Sequence, residues 1–181
     1  MIFELNVKLS EKDYFDFNEF WMLRSHYGKS QMIKFRIAIA LIAFLGILCF
    51  CIGKASLEDT LVYLIAYAVV MTVFQLLFNK FMLLSLKRQI KALKKKGKMA
   101  YTPESTMQFG DSIFIETTPT ERVERSYSAL ERVSILGDKV VYIHLNNVTA
   151  YIVPRDSFDS EEQYNAFLEF IKTKCANIDV Y

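Results

Sequence analysis

The chain has 181 residues, 52% of them hydrophobic, with 22 Lys and Arg against 20 Asp and Glu for a net charge of +2; its mean hydropathy is +0.19. That length suits one domain, or a small domain plus membrane segments, and the positive hydropathy favours the second. A soluble domain this small could hardly surround two long apolar helices on every face, and three cysteines indicate no disulfide framework.

Ile2 to Leu9 alternates, with Phe3, Leu5, Val7 and Leu9 on one face and Glu4, Asn6 and Lys8 on the other, as a half-buried strand would. Such a strand needs a partner from elsewhere in the chain. Ser10 and Asp13 have capping-box spacing, and Tyr14, Phe17, Phe20 and Trp21 then form a broad aromatic face on a helix. Residues 1–31 are therefore expected to be a cytoplasmic strand and amphipathic helix. The helix would either pack on a later domain or lie at the bilayer interface.

From Ile37 to Gly53 no side chain is charged, and the run crosses a ~30 Å hydrocarbon core if its helix starts near Met32. From Thr60 to Asn79 the chain is again free of charge and long enough to span unaided. Residues 32–86 are thus expected to form a transmembrane hairpin with spans at about 34–53 and 60–80. MIFELNVKLSEKDYFDF has no basic n-region, so the first span reads as an uncleaved anchor. Lys29, Lys34 and Arg36 precede it, and Lys80 and the lysine-rich stretch follow the second span. The connection KASLED offers only Lys54, balanced by Glu58 and Asp59. The positive-inside rule therefore places both termini in the cytoplasm.

FMLLSLKRQIKALKKKGK, Phe81 to Lys98, continues the second helix as a basic juxtamembrane segment over 87–98, with Gly97 as its stop. Lys87, Arg88, Lys91, Lys94, Lys95, Lys96 and Lys98 are the candidate lipid-contacting residues, because clustered cations beside an anionic leaflet gain about 1 kcal/mol each. The same lysines also set topology.

Beyond Gly97 the period becomes two. Gly110-Asp111, Thr118-Pro119, Gly137-Asp138 and Asn146-Asn147 punctuate six short strands near 105–109, 112–118, 122–127, 130–136, 139–145 and 148–153. Ser160 and Gln163 then open a helix carrying Tyr164, Phe167, Leu168 and Ile171. The predicted class is an α+β membrane protein: a two-helix transmembrane hairpin plus a cytoplasmic antiparallel β-meander or half-barrel over 99–181, capped by a C-terminal helix. Element order alone suggests a pleckstrin-homology-like (PH-like) plan. The strand at Ile2 to Leu9 is expected to pair with this domain, assembling it from both sides of the hairpin.

SEKDYFDF after a short strand, the hairpin, the basic stretch, YSALERV, VVYIHL and YIVPRDSFDSEEQYNAF together resemble the YcxB-like family of bacterial membrane proteins. Asp13-Tyr14, Tyr127 to Val133, and Ile152-Val153-Pro154-Arg155 with Phe158 carry most of the likeness. Tyr127 stands where the family often has Trp, and Arg155 where it often has Lys. The resemblance implies a bacterial inner-membrane protein and supplies no reaction.

Candidate chemistry is sparse. Cys49 and Cys51 point roughly 200° apart on a helix and cannot share a metal; Cys175 reads as a plain thiol of the last helix. His26 and His144 have no ligand-spaced neighbours, and His144 shares a strand face with Val140 and Tyr142. Asn147-Val148-Thr149 has the form of a sequon but falls in a cytoplasmic hairpin. Ala68, Thr72, Gln75 and Asn79 make a polar stripe on the second span, and Ala43, Gly46, Cys49 and Gly53 a small-residue stripe on the first. These stripes are expected to pack on each other or on a second protomer.

No phosphate loop, nucleophile elbow, metal cluster or acid/base pair is present, so no enzyme, cofactor or metal is expected, and no basic and aromatic surface pattern points to nucleic acid. The function expected is a membrane-anchored cytoplasmic interaction module that binds a protein, peptide or lipid headgroup. Its partners would be membrane lipids, a second copy of the chain or another protein. The alternative is a small oligomeric transporter or channel component, resting on the polar stripe.

Overall fold

The computed structural model describes residues 2–52 and 55–181. The chain divides into two compact units, Glu19–Gln89 on one hand and Met1–Asn18 with Ile90–Tyr181 on the other.

The first unit is helical. Helix α1 (Glu11–Leu23) starts in the other unit and belongs to this one from Glu19; it ends before a sharp corner, and α2 (His26–Cys51) follows. Ser25 makes the corner: its Oγ donates to the Trp21 carbonyl at 2.7 Å and accepts from the Gly28 amide at 3.0 Å, capping α2. A Cβ on Gly28 would lie 1.8 Å from the Trp21 oxygen, so only glycine fits there. Because α2 begins at His26 rather than near Met32, it is about 39 Å long, more than a ~30 Å hydrocarbon core requires.

Helix α3 (Leu57–Lys95) opens with a capping box, in which Ser56 and Asp59 exchange bonds of 2.7 Å and 3.1 Å. Among the described residues, α2 and α3 are the two helices long and apolar enough to cross a membrane.

The seam between α2 and α3 is aromatic. Phe44 meets Tyr67 and Phe50 meets Tyr63, each at 5.7 Å between ring centres, while the Tyr67 hydroxyl donates to the Ala40 carbonyl at 2.8 Å. Arg36 lies 4.6 Å over the Phe78 ring and donates to Asn79 Oδ1. Of the two expected packings of the small-residue and polar stripes, on each other or on a second protomer, the first is not found. Gly46, Cys49, Ala68, Thr72 and Asn79 are exposed, and Thr72 turns its hydroxyl back to the Ala68 carbonyl at 2.8 Å. Large rings bury more surface than small side chains, and they take the seam. Gly53 of that stripe and Lys54 lie outside the described residues.

The second unit is built from two four-stranded sheets, ordered β1-β2-β3-β4 and β7-β6-β5-β8. Strand β1 (Phe3–Lys8) pairs antiparallel with β2 (Glu104–Phe109), setting Leu5 opposite Met107 and Phe3 opposite Phe109. The N-terminal strand therefore finds its partner beyond both long helices, as its alternation requires.

Strands β3 (Ile113–Thr117) and β4 (Arg122–Ser126) complete the first sheet. A single 3-10 turn at Tyr127–Ala129 carries the chain to β5 (Arg132–Leu136), β6 (Val140–His144) and β7 (Ala150–Pro154). The four predicted turns all occur; in the last, Asn146 Oδ1 accepts from the amides of Val148 and Thr149 at 2.8 Å each. A wholly antiparallel meander is corrected in two respects. The strands divide between two sheets at the Tyr127 turn, and a short strand β8 (Ile178–Val180) pairs parallel with β5.

Helix α4 (Glu161–Lys174) starts at Ser160, whose Oγ accepts from the Gln163 amide at 3.1 Å, while Gln163 Oε1 reaches the Asp159 amide at 2.7 Å. Its Tyr164, Phe167 and Ile171 enter the core between the sheets with Leu5, Phe109, Phe114, Val133, Val141 and Ile143. Phe167 lies 5.0 Å from Phe109 and 5.2 Å from Phe158. Strand β6 reads VVYIH without alternation because both its faces are covered: Val141 and Ile143 face the core, and Phe17 of α1 packs 5.1 Å from Tyr142.

An aromatic cleft and a basic helix

Where β1, β2 and β3 approach β7, the two sheets leave a cleft of about 470 Å³. Val7, Met107 and Ile152 give it an apolar floor, and Tyr14, Phe17 and Asn18 of α1 line it from another side with Tyr101. Tyr14 and Tyr101 stack at 5.5 Å with 26° between their planes.

Helix α1 is held in place by its own start, because Ser10 follows β1 after Leu9 alone and bonds Asp13 Oδ2 through its amide at 2.8 Å and its hydroxyl at 2.6 Å. Lys94 adds a surface pair with Glu11 at 3.2 Å, an interaction of little energy on its own.

The cleft has one carboxylate. Glu116 is the register partner of Met107, so the pleat turns both to the same side, the side that Phe114 also faces. Tyr151 on β7 lines the cleft with it, and the Tyr151 hydroxyl accepts from Arg125 Nε at 3.0 Å. Arg125 is the β4 partner of Phe114, whose ring meets Tyr151 edge-on at 5.5 Å. The Arg125–Tyr151 bond thus ties both sheets together beside the cleft. Burial pushes the Glu116 carboxyl up, with Glu121 adding to the rise, and Arg125 only partly offsets them. Burial likewise raises Tyr151.

The candidate lipid-contacting residues form a separate feature. Lys87, Arg88, Lys91, Lys94 and Lys95 share roughly one third of the circumference of α3, and all are exposed, as are Lys96 and Lys98. Gly97 (φ 66°) ends the helix in a Schellman turn, with its amide on Lys94 O at 3.0 Å and that of Lys98 on Leu93 O at 3.1 Å.

The other singled-out residues are placed apart from the cleft lining. His26 is the exposed first residue of α2. His144 is buried on β6 with Nε2 3.0 Å from Ser134 Oγ, and its Nδ1 has no partner among the described residues. Burial, and then Arg132, lower its pKa to about 4. Asn147 accepts from Arg132 in the β6–β7 hairpin. Cys49 is exposed, and Cys51 and Cys175 are buried. Among the described residues, no group of three His, Cys, Asp or Glu side chains could hold a metal ion.

The cleft was not foreseen from the sequence, since its lining comes from separate stretches of chain. One signal was present: in IFIET, Phe114 and Glu116 fall on the same inward face, which puts an acid where an apolar residue belongs.

By class, then, this is a chain with two apolar helices paired in a hairpin and a two-sheet β unit whose strands come from both sides of it. Residues 109–171, from the end of β2 through most of α4, match the family model described as YcxB-like protein, so the resemblance holds over that segment. No curated protein and no solved structure matches the chain.

Proposed function

We propose that the chain is a membrane-anchored interaction module of a bacterial inner membrane, with α2 and α3 crossing the bilayer and both termini and the β unit on the cytoplasmic side. The observation that carries this reading is the continuity of α3. A segment free of charge from Thr60 to Asn79 runs without a break into an exposed basic face, the pattern of a span leaving an anionic leaflet.

The β unit is read on a PH-like plan, two sheets closed by one helix, and the recognition role proposed for it rests on that fold-level analogy. No reaction is assigned to it. The basic face of α3 would contact anionic headgroups, and the β unit would hold its own ligand close to the membrane.

The test is extraction of membranes at alkaline pH from cells expressing the chain with a fluorescent reporter after Tyr181. The module reading expects the protein to stay in the pellet and the reporter to fold in the cytoplasm. Release into the supernatant, or a reporter active only outside the cytoplasm, would remove it.

A further inference from the structure

We infer that the cleft beside Glu116 binds a small free organic ammonium ion carrying an apolar or aromatic body. This deepens the reading of the β unit as a binding module and rests on it, but not on the membrane anchor.

The lining has the required chemistry. Four aromatic rings, Tyr14, Phe17, Tyr101 and Tyr151, border the cleft, and ring faces attract cations most where water is thin. Glu116 is the acidic residue of the lining, and the lining contains no Lys, Arg or His. An anion would meet a carboxylate and no cation among the lining residues; a neutral apolar ligand would cover the half-buried carboxylate while Arg125 compensates it only in part.

Arg125 spends its Nε on Tyr151 and stays outside the cleft lining, where Tyr151 and Glu116 stand. The carboxyl is still pushed up by burial and by Glu121 despite Arg125, so its charge is only partly compensated where it sits. A bound cation supplies what is missing. A volume of about 470 Å³ lies within the ~300–1,000 Å³ range of small-molecule sites.

Calorimetry on the full chain in non-ionic detergent tests this with four probes of matched body: benzylammonium, benzyltrimethylammonium, benzyl alcohol and benzoate. Both ammonium probes are expected to bind, and the alcohol and benzoate to bind about tenfold more weakly or not at all. Glu116→Gln keeps the side-chain shape and is expected to weaken the ammonium probes by about tenfold or more. Tyr101→Ala is expected to weaken them several-fold, and Glu161→Gln on the exposed start of α4 to leave them unchanged. Unaltered protease resistance of Glu116→Gln separates lost binding from lost folding.

Benzyl alcohol binding as tightly as the ammonium probes, a preference for benzoate, an unchanged affinity in Glu116→Gln, or no binding by any probe would each overturn the inference. In those cases a chain that still resists alkaline extraction leaves the module reading standing, so the two fail separately.

Discussion

Replacing Leu5 by Ala tests whether the β unit is assembled across the hairpin. Leu5 is 1% exposed, sits opposite Met107 in the β1–β2 ladder, and belongs to the same core as Phe109, Phe167 and Ile171. Truncating a fully buried leucine costs about 3–5 kcal/mol, the larger values where the surroundings cannot close the gap. Here the gap would be walled by strands of both sheets and by α4, so the upper half of that range is expected. Against a total of about 5–15 kcal/mol for an ordinary domain, the loss is severe, and it should lower the unfolding midpoint by about 10 °C or more. Ile2, 48% exposed at the edge of the same strand, provides the control; Ile2→Ala should change stability by no more than about 0.5 kcal/mol. The assay is thermal unfolding of the detergent-solubilised chain followed by near-ultraviolet circular dichroism, backed by limited proteolysis. If Leu5→Ala unfolds together with Ile2→Ala and the parent, β1 is peripheral and the cross-hairpin assembly is wrong.

Phe158 packs 5.1 Å from Tyr164 and 5.2 Å from Phe167 at the entry to α4, so Phe158→Ala should cost about 3–5 kcal/mol in the same unfolding assay. A loss well under 1 kcal/mol would refute its place in the core. His144 stays neutral in the folded chain down to about pH 4, whereas the unfolded chain takes up the proton near pH 6.5. Stability therefore falls as the pH drops through that window, by about 3 kcal/mol from this residue. His144→Gln should lose correspondingly less between pH 7 and pH 4, and parallel profiles for the two proteins would contradict the assignment. A peptide covering Phe81 to Lys98 should bind vesicles in proportion to their anionic lipid content and let go as salt shortens the ~8–10 Å Debye length. Equal binding to neutral vesicles would leave topology as the lysines' only role.

How far the sequence could be read depended on how local each signal was. The alternation of Phe3, Leu5 and Val7, the caps at Ser10 and Ser160, and the four hairpin turns are written within a few residues each, and all of them appear in the structure. Strand β8 has three residues, too short for any period to show, and its parallel pairing with β5 depends on where α4 ends. The corner at Ser25 was missed because its signal is a single glycine whose importance lies in the approach of the Trp21 carbonyl.

The hairpin seam differs from a direct packing of the two stripes for a different reason. Small and polar stripes mark close packing when helices touch backbone to backbone, but here Tyr67 and Phe78 present larger rings to α2, with Ala40 and Arg36 as their polar contacts. The cleft was the least legible feature. Val7, Met107, Glu116 and Tyr151 are brought together by sheet register and by the meeting of two sheets, and no single stretch of sequence encodes that meeting.

The proposed arrangement of α2 and α3 across a bilayer is tested most directly by cysteine accessibility in intact cells. In a chain with Cys49, Cys51 and Cys175 replaced by Ala, single cysteines are introduced as Ser56→Cys at the start of α3 and Thr118→Cys in the β3–β4 turn, and each is offered a membrane-impermeant maleimide. Labelling at position 56 in intact cells, with position 118 protected until the membrane is opened, is the predicted result. Labelling of both sites alike in intact cells, or of position 118 alone, would contradict it.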